Sequence, residues 1–311
     1  MSQLGPRGPE VTALGLGCAP LGNLYSAVSD EDATATVDAA WEVGIRFFDT
    51  APLYGQGLSE TRLGQALRSR PREEFVLATK VGRLLRAPSA GVPASIFVNA
   101  PPLEATRSYS YDDAMRSVEE SLVRLGVDRV DVVHVHDPDD HEDEAIRGAF
   151  PALIKLRDQG VIRAVGCGMN QWQMLDRFVG RIDLDCILLA GRYTLLDRSG
   201  AERLLPRCLE HRVGVVIGGV FNSGLLADPD LQQVFDYSAA PPALVDRARA
   251  MRDTCRRRGV SLTAAALQFA LRHPAVTTVV VGARTAAEVS MDAHDAQIGI
   301  PADLWDELDR L

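Results

Sequence analysis

Short apolar runs rich in β-branched residues alternate along the chain with longer stretches in which apolar positions recur every three to four residues. The apolar runs predict eight strands, at 14–17, 45–49, 75–80, 130–136, 164–167, 186–190, 213–218 and 277–281. The helical spacing predicts helices at 30–43, 60–68, 112–125, 144–159, 171–179 and 201–211, with a pair at 245–257 and 263–271 before the last strand. The ends agree with the periods. Ser29 precedes Asp30, Glu31 and Asp32, an N-cap followed by an acidic first turn that the helix dipole favours. Gly126 and Gly160 follow two helix ends, where a left-handed residue closes a helix. Alternation of this kind means parallel strands joined by right-handed crossovers. Eight repeats predict a closed (β/α)8 or TIM barrel, one domain over residues 1–311.

Two segments fall outside the alternation. Residues 82–111 hold four prolines and little periodicity, and a loop of that length inside a compact domain is usually functional. It follows the third strand, at the end of the barrel where chemistry sits. A second irregular stretch, 221–242, follows the seventh strand.

Composition narrows the class. With 311 residues, 46% hydrophobic and 24% charged, the chain has the material for one large core, which excludes disorder and fibrous structure. A net charge of -9 without a basic block makes nucleic acid and anionic membrane poor partners. The cysteines, at 18, 167, 186, 208 and 255, form no CxxC pair, so a reducing cytoplasm is expected. The opening MSQLGPRGPEV lacks the apolar core of a secretion signal, and the most apolar stretch, 213–221, is too short to span a bilayer.

A TIM barrel carries its chemistry at the C-terminal ends of its strands. Read in chain order, those ends offer Asp49, then Tyr54 five residues on, Lys80 and His136, from the second, third and fourth strands. Neighbouring parallel strands lie roughly 4.8 Å apart, so these groups can converge in one cluster. A buried lysine is costly unless paired, and Asp49 supplies the counter-charge. An ammonium near Tyr54 favours the phenolate and lowers its pKa, so the tyrosine can exchange protons near neutral pH. His136 can orient a substrate oxygen or share the proton. Only two of the 33 basic residues are lysines, Lys80 and Lys155, and a compact ammonium can be desolvated and tuned as a guanidinium cannot. For Lys80 alone, a surface lysine at a frayed strand end is the plain alternative.

His134 and His136 share a strand face, which opens a metal alternative with His141 and Asp137. The later strand ends, Cys167, Ala190, Gly218 and Val281, add no histidine or carboxylate of the kind a catalytic zinc needs, so no metal is expected. His134 is expected in an inner layer of the barrel, and His141, in the acidic run 137–144, in solvent.

The glycine pairs point away from a Rossmann site. Gly15-Leu-Gly17-Cys-Ala-Pro20 puts proline where the third glycine belongs, and Gly166-Cys-Gly168-Met-Asn-Gln171 fails at the same place. Cofactor binding must then use barrel loops. Gly218-Gly219-Val-Phe-Asn-Ser223-Gly224 follows the seventh strand, with small residues that let backbone N–H groups approach a phosphate. Gly282-Ala-Arg284-Thr285 follows the eighth and opens a helix, a standard anion site.

These residues resemble the aldo-keto reductase superfamily. The matching segments run in order over nearly the whole chain: GIRFFDTAPLYGQGLSETRLGQAL (44–67), VLATKVG (76–82), DVVHVHDPD (131–139), AVGCGMNQW (164–172), AGRYTLL (190–196) and VVVGARTAAEV (279–289). AGRYTLLD and GGVFNSGLLA are most similar to its aldose 1-dehydrogenase branch, which oxidises sugars such as L-fucose to lactones and has pyridoxal dehydrogenases as relatives. The resemblance implies a nicotinamide cofactor and a catalytic tetrad on Asp49, Tyr54, Lys80 and His136. It implies that Asn170 holds the nicotinamide carboxamide and that Tyr193 stacks on the ring. Gly219, Phe221 and Ser223 would line the pyrophosphate, and Gly282, Arg284 and Glu288 would lie toward the adenosine. Two positions depart from the pattern: Met169 stands where the family often has serine, and Ala190 where it usually has glutamine. Glu288 stands where many NADP-dependent members have arginine; it would repel a 2′-phosphate and accept ribose hydroxyls, so NAD is expected over NADP.

The leading reading is an NAD(P)-dependent oxidoreductase of a sugar hemiacetal or small carbonyl. From other classes, a non-enzymatic nicotinamide-binding regulatory subunit is opposed by the complete tetrad, and a metal hydrolase by its missing ligands. The partner is a small sugar or aldehyde, with substrate determinants expected in 82–111, at Tyr25 and after the seventh strand. No oligomeric state is read from the sequence.

Overall fold

In the computed structural model, which describes residues 1–88, 91, 95–236 and 238–311, eight parallel strands close into a barrel. They are β1 (Leu14–Gly17), β2 (Phe47–Asp49), β3 (Val76–Val81), β4 (Val132–His136), β5 (Ala164–Met169), β6 (Cys186–Ala190), β7 (Gly214–Gly218) and β8 (Val276–Gly282). Each pairs with the next in chain order, and β8 pairs with β1 to close the ring, Gly282 opposite Gly17. The expected second and fourth strands start later than their apolar runs. Ile45 and Val130 are buried but precede the ladder, because burial continues beyond the hydrogen-bonded pairing.

Alternation turns every second side chain of a strand inward. The lower inner layers are apolar: Phe47, Val76, Ala78, Val132, Ala164, Cys186, Leu188, Val216 and Val280 form one cluster. An N-terminal hairpin, Ser2–Gln3 against Glu10–Val11, closes the bottom with Leu4 and Val11, both fully buried. Two to four residues up each strand the interior changes. By the same alternation β2, β3 and β4 end in Asp49, Lys80 and His136, whereas β5, β6, β7, β8 and β1 end in Gly168, Ala190, Gly218, Gly282 and Gly17. One half of the mouth is polar and the other has no side chain larger than a methyl.

The helices pack outside, against a second and larger apolar cluster. They are α1 (Asp30–Glu42), α2 (Leu58–Leu67), α3 (Tyr111–Leu125), α4 (Glu142–Arg147), α5 (Ala149–Asp158), α6 (Trp172–Phe178), α7 (Leu204–His211), α8 (Pro242–Arg257), α9 (Leu262–Leu271), α10 (Ala286–Asp295) and α11 (Ala302–Asp309). Ser29 caps α1 by accepting from the Asp32 N–H, and Gly126 closes α3 in the left-handed region. The single helix expected at 144–159 is two. Gly148 breaks it with a non-helical φ of −120° and ψ of −76°, and only glycine fits there, since a Cβ would lie 2.3 Å from the Tyr109 carbonyl oxygen. The loop 82–111 is not structureless: Arg83–Arg86 pairs antiparallel with Glu104–Arg107. Residues 89, 90 and 92–94 of that loop, and Tyr237 of the stretch 221–242, lie outside the described residues. Among the described residues no helix is long and apolar enough to cross a membrane.

Candidate active site

Tyr54 sits in the turn between β2 and α2, its N–H donating to the Ala51 carbonyl at 3.1 Å. The loop after β1 holds that turn. A Cβ on Gly22 would lie 2.6 Å from the Tyr54 carbonyl carbon, so glycine lets the two backbones touch. Lys80, at the end of β3 and 1% exposed, donates to Asp49 Oδ2 at 2.6 Å and to the Thr50 carbonyl at 2.9 Å. The same ammonium lies 4.7 Å from the centre of the Tyr54 ring. His136, at the end of β4, meets that ring edge-on, with centroids 5.9 Å apart. The structure thus brings Asp49, Tyr54, Lys80 and His136 into one cluster at the polar half of the mouth.

Burial pushes the Asp49 carboxyl above its ordinary range, against the pull of Lys80. Burial, followed by the positive charges of Lys80 and Arg83, holds the His136 imidazole well below its ordinary value, so the ring is neutral at pH 7. Its Nδ1 is buried without a partner, which leaves Nε2 for the site. His134, one layer down, is fully buried with neither ring nitrogen hydrogen-bonded. Opposite it, a Cβ on Gly166 would lie 2.2 Å from His134 Nδ1, so the imidazole takes the space of a side chain β5 lacks. His141 is not free in solvent; it pairs with Glu144 at 3.1 Å. Among the described residues no group of three or more His, Cys, Asp or Glu side chains is placed to hold a metal.

Around the cluster are residues that sequence spacing did not assemble. Tyr109 is fully buried; its hydroxyl accepts from Arg83 Nη1 at 2.5 Å and faces the His136 and Asp137 carbonyls at 2.7 and 2.5 Å. Above Tyr54 the long loop returns as a roof. The Tyr25 N–H donates to the Ile96 carbonyl and the Val98 N–H to the Asn23 carbonyl, both at 2.9 Å. This ladder sets the Phe97 ring 6.1 Å from that of Tyr54. No periodicity in 82–111 marks Phe97 or Tyr109, so only the path of the chain reveals them.

The expected cofactor residues fall in three places. Asn170 follows β5, its Nδ2 donating to the Ala190 carbonyl at 3.3 Å. Gly219, Phe221 and Ser223 follow β7, with Gly219 and Ser223 both at positive φ. Burial pushes the Tyr25 phenol up, against the influence of nearby Ser223 and Arg284, so loops after β1, β7 and β8 meet there. Gly282 ends β8 beside Gly17. Glu288 lies in the first turn of α10. Its N–H donates to Thr285 Oγ1 at 3.2 Å, and its carboxylate accepts from the Arg284 N–H at 2.7 Å. That is a capping arrangement: the carboxylate occupies a donor at the helix N-terminus. Tyr193 is elsewhere; its ring packs on Phe269 and His273, with centroids 5.1 and 5.8 Å away, and none of its ring contacts is with the tetrad.

The glycine half of the mouth fits the nicotinamide group that the resemblance implies. A Cβ on Gly168 or Gly218 would meet its nearest neighbour at ordinary contact distance, 3.6 or 3.5 Å, so each glycine leaves the space of a methyl group unfilled at the mouth. Asn170 supplies an amide beside it, and Gly219, exposed and at positive φ after β7, lets the backbone approach a phosphate.

Comparison with known proteins identifies the family. Residues 13–311 match the profile of the Aldo/keto reductase family. The chain is 44% identical to a D-threo-aldose 1-dehydrogenase of a Pseudomonas species, over 97% of this chain and 94% of that protein. It is 42% identical to a pyridoxal 4-dehydrogenase of Microbacterium luteolum, over 98% and 95%. Its fold superposes on the holo form of an aldo-keto reductase of Bacillus halodurans with a TM-score of 0.79 at 28% identity, over 99% of this chain and 94% of that one. A barrel with this mouth, matched in sequence and in fold over nearly its full length, belongs to the aldo/keto reductase family and is one of its NAD(P)-dependent oxidoreductases.

Proposed function

We propose that the protein oxidises the anomeric carbon of an aldose such as L-fucose to the lactone, with NAD preferred over NADP. The observation that carries this is Tyr54 set beside the buried Lys80–Asp49 pair and the neutral His136. The 44% identity to a D-threo-aldose 1-dehydrogenase supports the sugar. The glycine half of the mouth would hold the nicotinamide, which would supply the hydride acceptor for C1 in oxidation and the hydride donor in reduction.

The protein's own groups handle the proton and the geometry. The Tyr54 oxygen takes the hydroxyl proton of the hemiacetal while C1–O becomes C=O; in reverse the phenol gives that proton back. Lys80 favours the phenolate through its charge, and Asp49 fixes the ammonium in place. His136 orients the substrate oxygen through Nε2. Asn170 holds the carboxamide, Gly219, Phe221 and Ser223 the pyrophosphate, and Gly282 and Arg284 the adenosine end. Glu288 disfavours a 2′-phosphate by its charge and by holding the Arg284 N–H. Tyr193 has no part in this assignment, since its ring is committed to Phe269 and His273. The five buried, unpaired cysteines support a reducing compartment such as the cytoplasm.

A second reading, oxidation of pyridoxal, is favoured by the 42% identity to a pyridoxal 4-dehydrogenase and uses the same proton transfer. A panel of aldoses, pyridoxal and simple aldehydes, followed at the nicotinamide absorbance with both cofactors, separates the two. Aldose oxidation with NAD as the best pair supports the first reading; pyridoxal turnover without aldose turnover replaces it with the second.

A further inference from the structure

Directly after His136 the chain makes an unusual turn. Asp137 has φ +44°, in the left-handed region that side chains other than Asn, Asp and Gly rarely enter. Several groups hold it there. The Asp137 N–H donates to the Gly168 carbonyl at 3.0 Å, and Tyr109, itself fixed by Arg83, bonds the carbonyls of His136 and Asp137. Burial pushes the Tyr109 phenol up to about 12, so it stays a donor throughout the working range. A backbone strained in this way beside a catalytic histidine is a feature to be explained by what it aims.

What it aims is a carboxylate. Asp137 Oδ2 lies 3.5 Å from His136 Nε2, the ring nitrogen left open to the site. Its other near neighbour, Arg83 Nη2, stands at 3.9 Å, with the Arg83 Nη1 hydrogens used by Tyr109 and the Gly82 carbonyl. Both separations exceed hydrogen-bond length, so the oxygens keep lone pairs for another donor. The Asp137 side chain is 27% exposed, whereas the Asp49 side chain is 4% exposed and bound to Lys80. Among the described residues, the site therefore presents an accessible, unfilled acceptor one residue from the group that orients the reacting oxygen.

We propose that Asp137 is a substrate-contacting specificity residue, whose carboxylate accepts the hydroxyl hydrogen on the carbon next to the reacting one and so selects polyhydroxylated carbonyl compounds over plain aldehydes. The inference rests on the sugar reading above, and a plain aldehyde has no hydroxyl to offer this group. A carboxylate–hydroxyl bond formed in a half-buried site is among the stronger neutral-to-charged hydrogen bonds. Burial, with Asp139 adding to it, raises the Asp137 carboxyl to about 6; the charges of Arg83, Lys80 and Arg107 oppose the rise, and the neighbouring His136 is neutral. The acceptor form thus holds above that pH and is lost as pH falls through it.

Asp137→Gly and Asp137→Asn both suit a left-handed backbone, so each keeps the turn. The test is kcat/KM of wild type and both variants on an aldose and on a plain aliphatic aldehyde, with the cofactor saturating. The aldose-to-aldehyde ratio of kcat/KM is expected to fall roughly 10- to 100-fold in Asp137→Gly, chiefly through the aldose KM. The acid limb near pH 6 in the wild-type aldose profile should vanish in Asp137→Asn. An unchanged ratio, or equal losses on both substrates, overturns the inference while leaving the sugar reading standing. A wild type that turns over the plain aldehyde but no aldose overturns both.

Discussion

Lys80 is buried against Asp49, which accepts from it at 2.6 Å, and the Tyr54 ring lies 4.7 Å from its Nζ. Lys80→Met leaves a buried carboxylate unpaired, a loss of about 3–5 kcal/mol in stability. In the surviving enzyme the phenol loses a neighbouring cation, so the inflection governing substrate oxidation should move to higher pH. A profile with the wild-type inflection would remove Lys80 from the chemistry. His134 is the opposite kind of residue, buried without a hydrogen bond. Burial, then Lys80, pushes its imidazole down to about 3, below the ordinary 6.5. Between those values the unfolded chain binds a proton that the folded chain does not, so stability falls as pH falls through that window. His134→Leu removes the effect. Its urea midpoint should match or exceed wild type at pH 8 and exceed it by more at pH 5; a variant less stable at both would show that the ring has a partner after all. The tetrad was legible in the sequence because strand alternation and neighbouring strand ends suffice to gather Asp49, Lys80 and His136. The Arg83–Tyr109–Asp137 group was not, because it depends on a positive φ at Asp137 and on where a long loop returns.

At the scale of elements, the proposed cofactor preference rests on the N-terminus of α10. Thr285 and Glu288 cap it between them, and the Glu288 carboxylate covers the Arg284 N–H. A 2′-phosphate carries about two negative charges and needs free donors or a basic clamp. NAD should be preferred over NADP by about 5- to 150-fold in kcat/KM, equivalent to roughly 1–3 kcal/mol. Glu288→Arg should narrow or reverse that preference. A clear NADP preference in the unmutated protein would show that the adenosine lies elsewhere. The sequence placed Glu288 toward the adenosine; that its carboxylate turns back to cap its own helix with Thr285 depends on the path of the backbone. Tyr193 illustrates the same gap. Its place after β6 fits a ring-stacking residue, yet the described loop carries it onto Phe269 in α9.

On the scale of the molecule, the alternation of apolar runs and helical spacing was enough to give the closed barrel, since each run pairs with the next in chain order. The later strand ends read from the sequence were Cys167, Ala190, Gly218 and Val281, whereas the barrel register turns Gly168 and Gly282 inward instead, so the asymmetry of the mouth was legible only in part. The roof, Phe97 over Tyr54, was not, because its ladder joins two loops far apart in sequence. One measurement tests the whole arrangement most directly: NAD reduction by an aldose, compared between wild type and Tyr54→Phe. The substitution keeps the ring and removes only the proton carrier. Turnover should fall roughly 10²- to 10⁴-fold while the Kd for NADH stays within a few-fold of wild type. A variant that oxidises the sugar at the wild-type rate would contradict the assignment of Tyr54, and with it the account of the site.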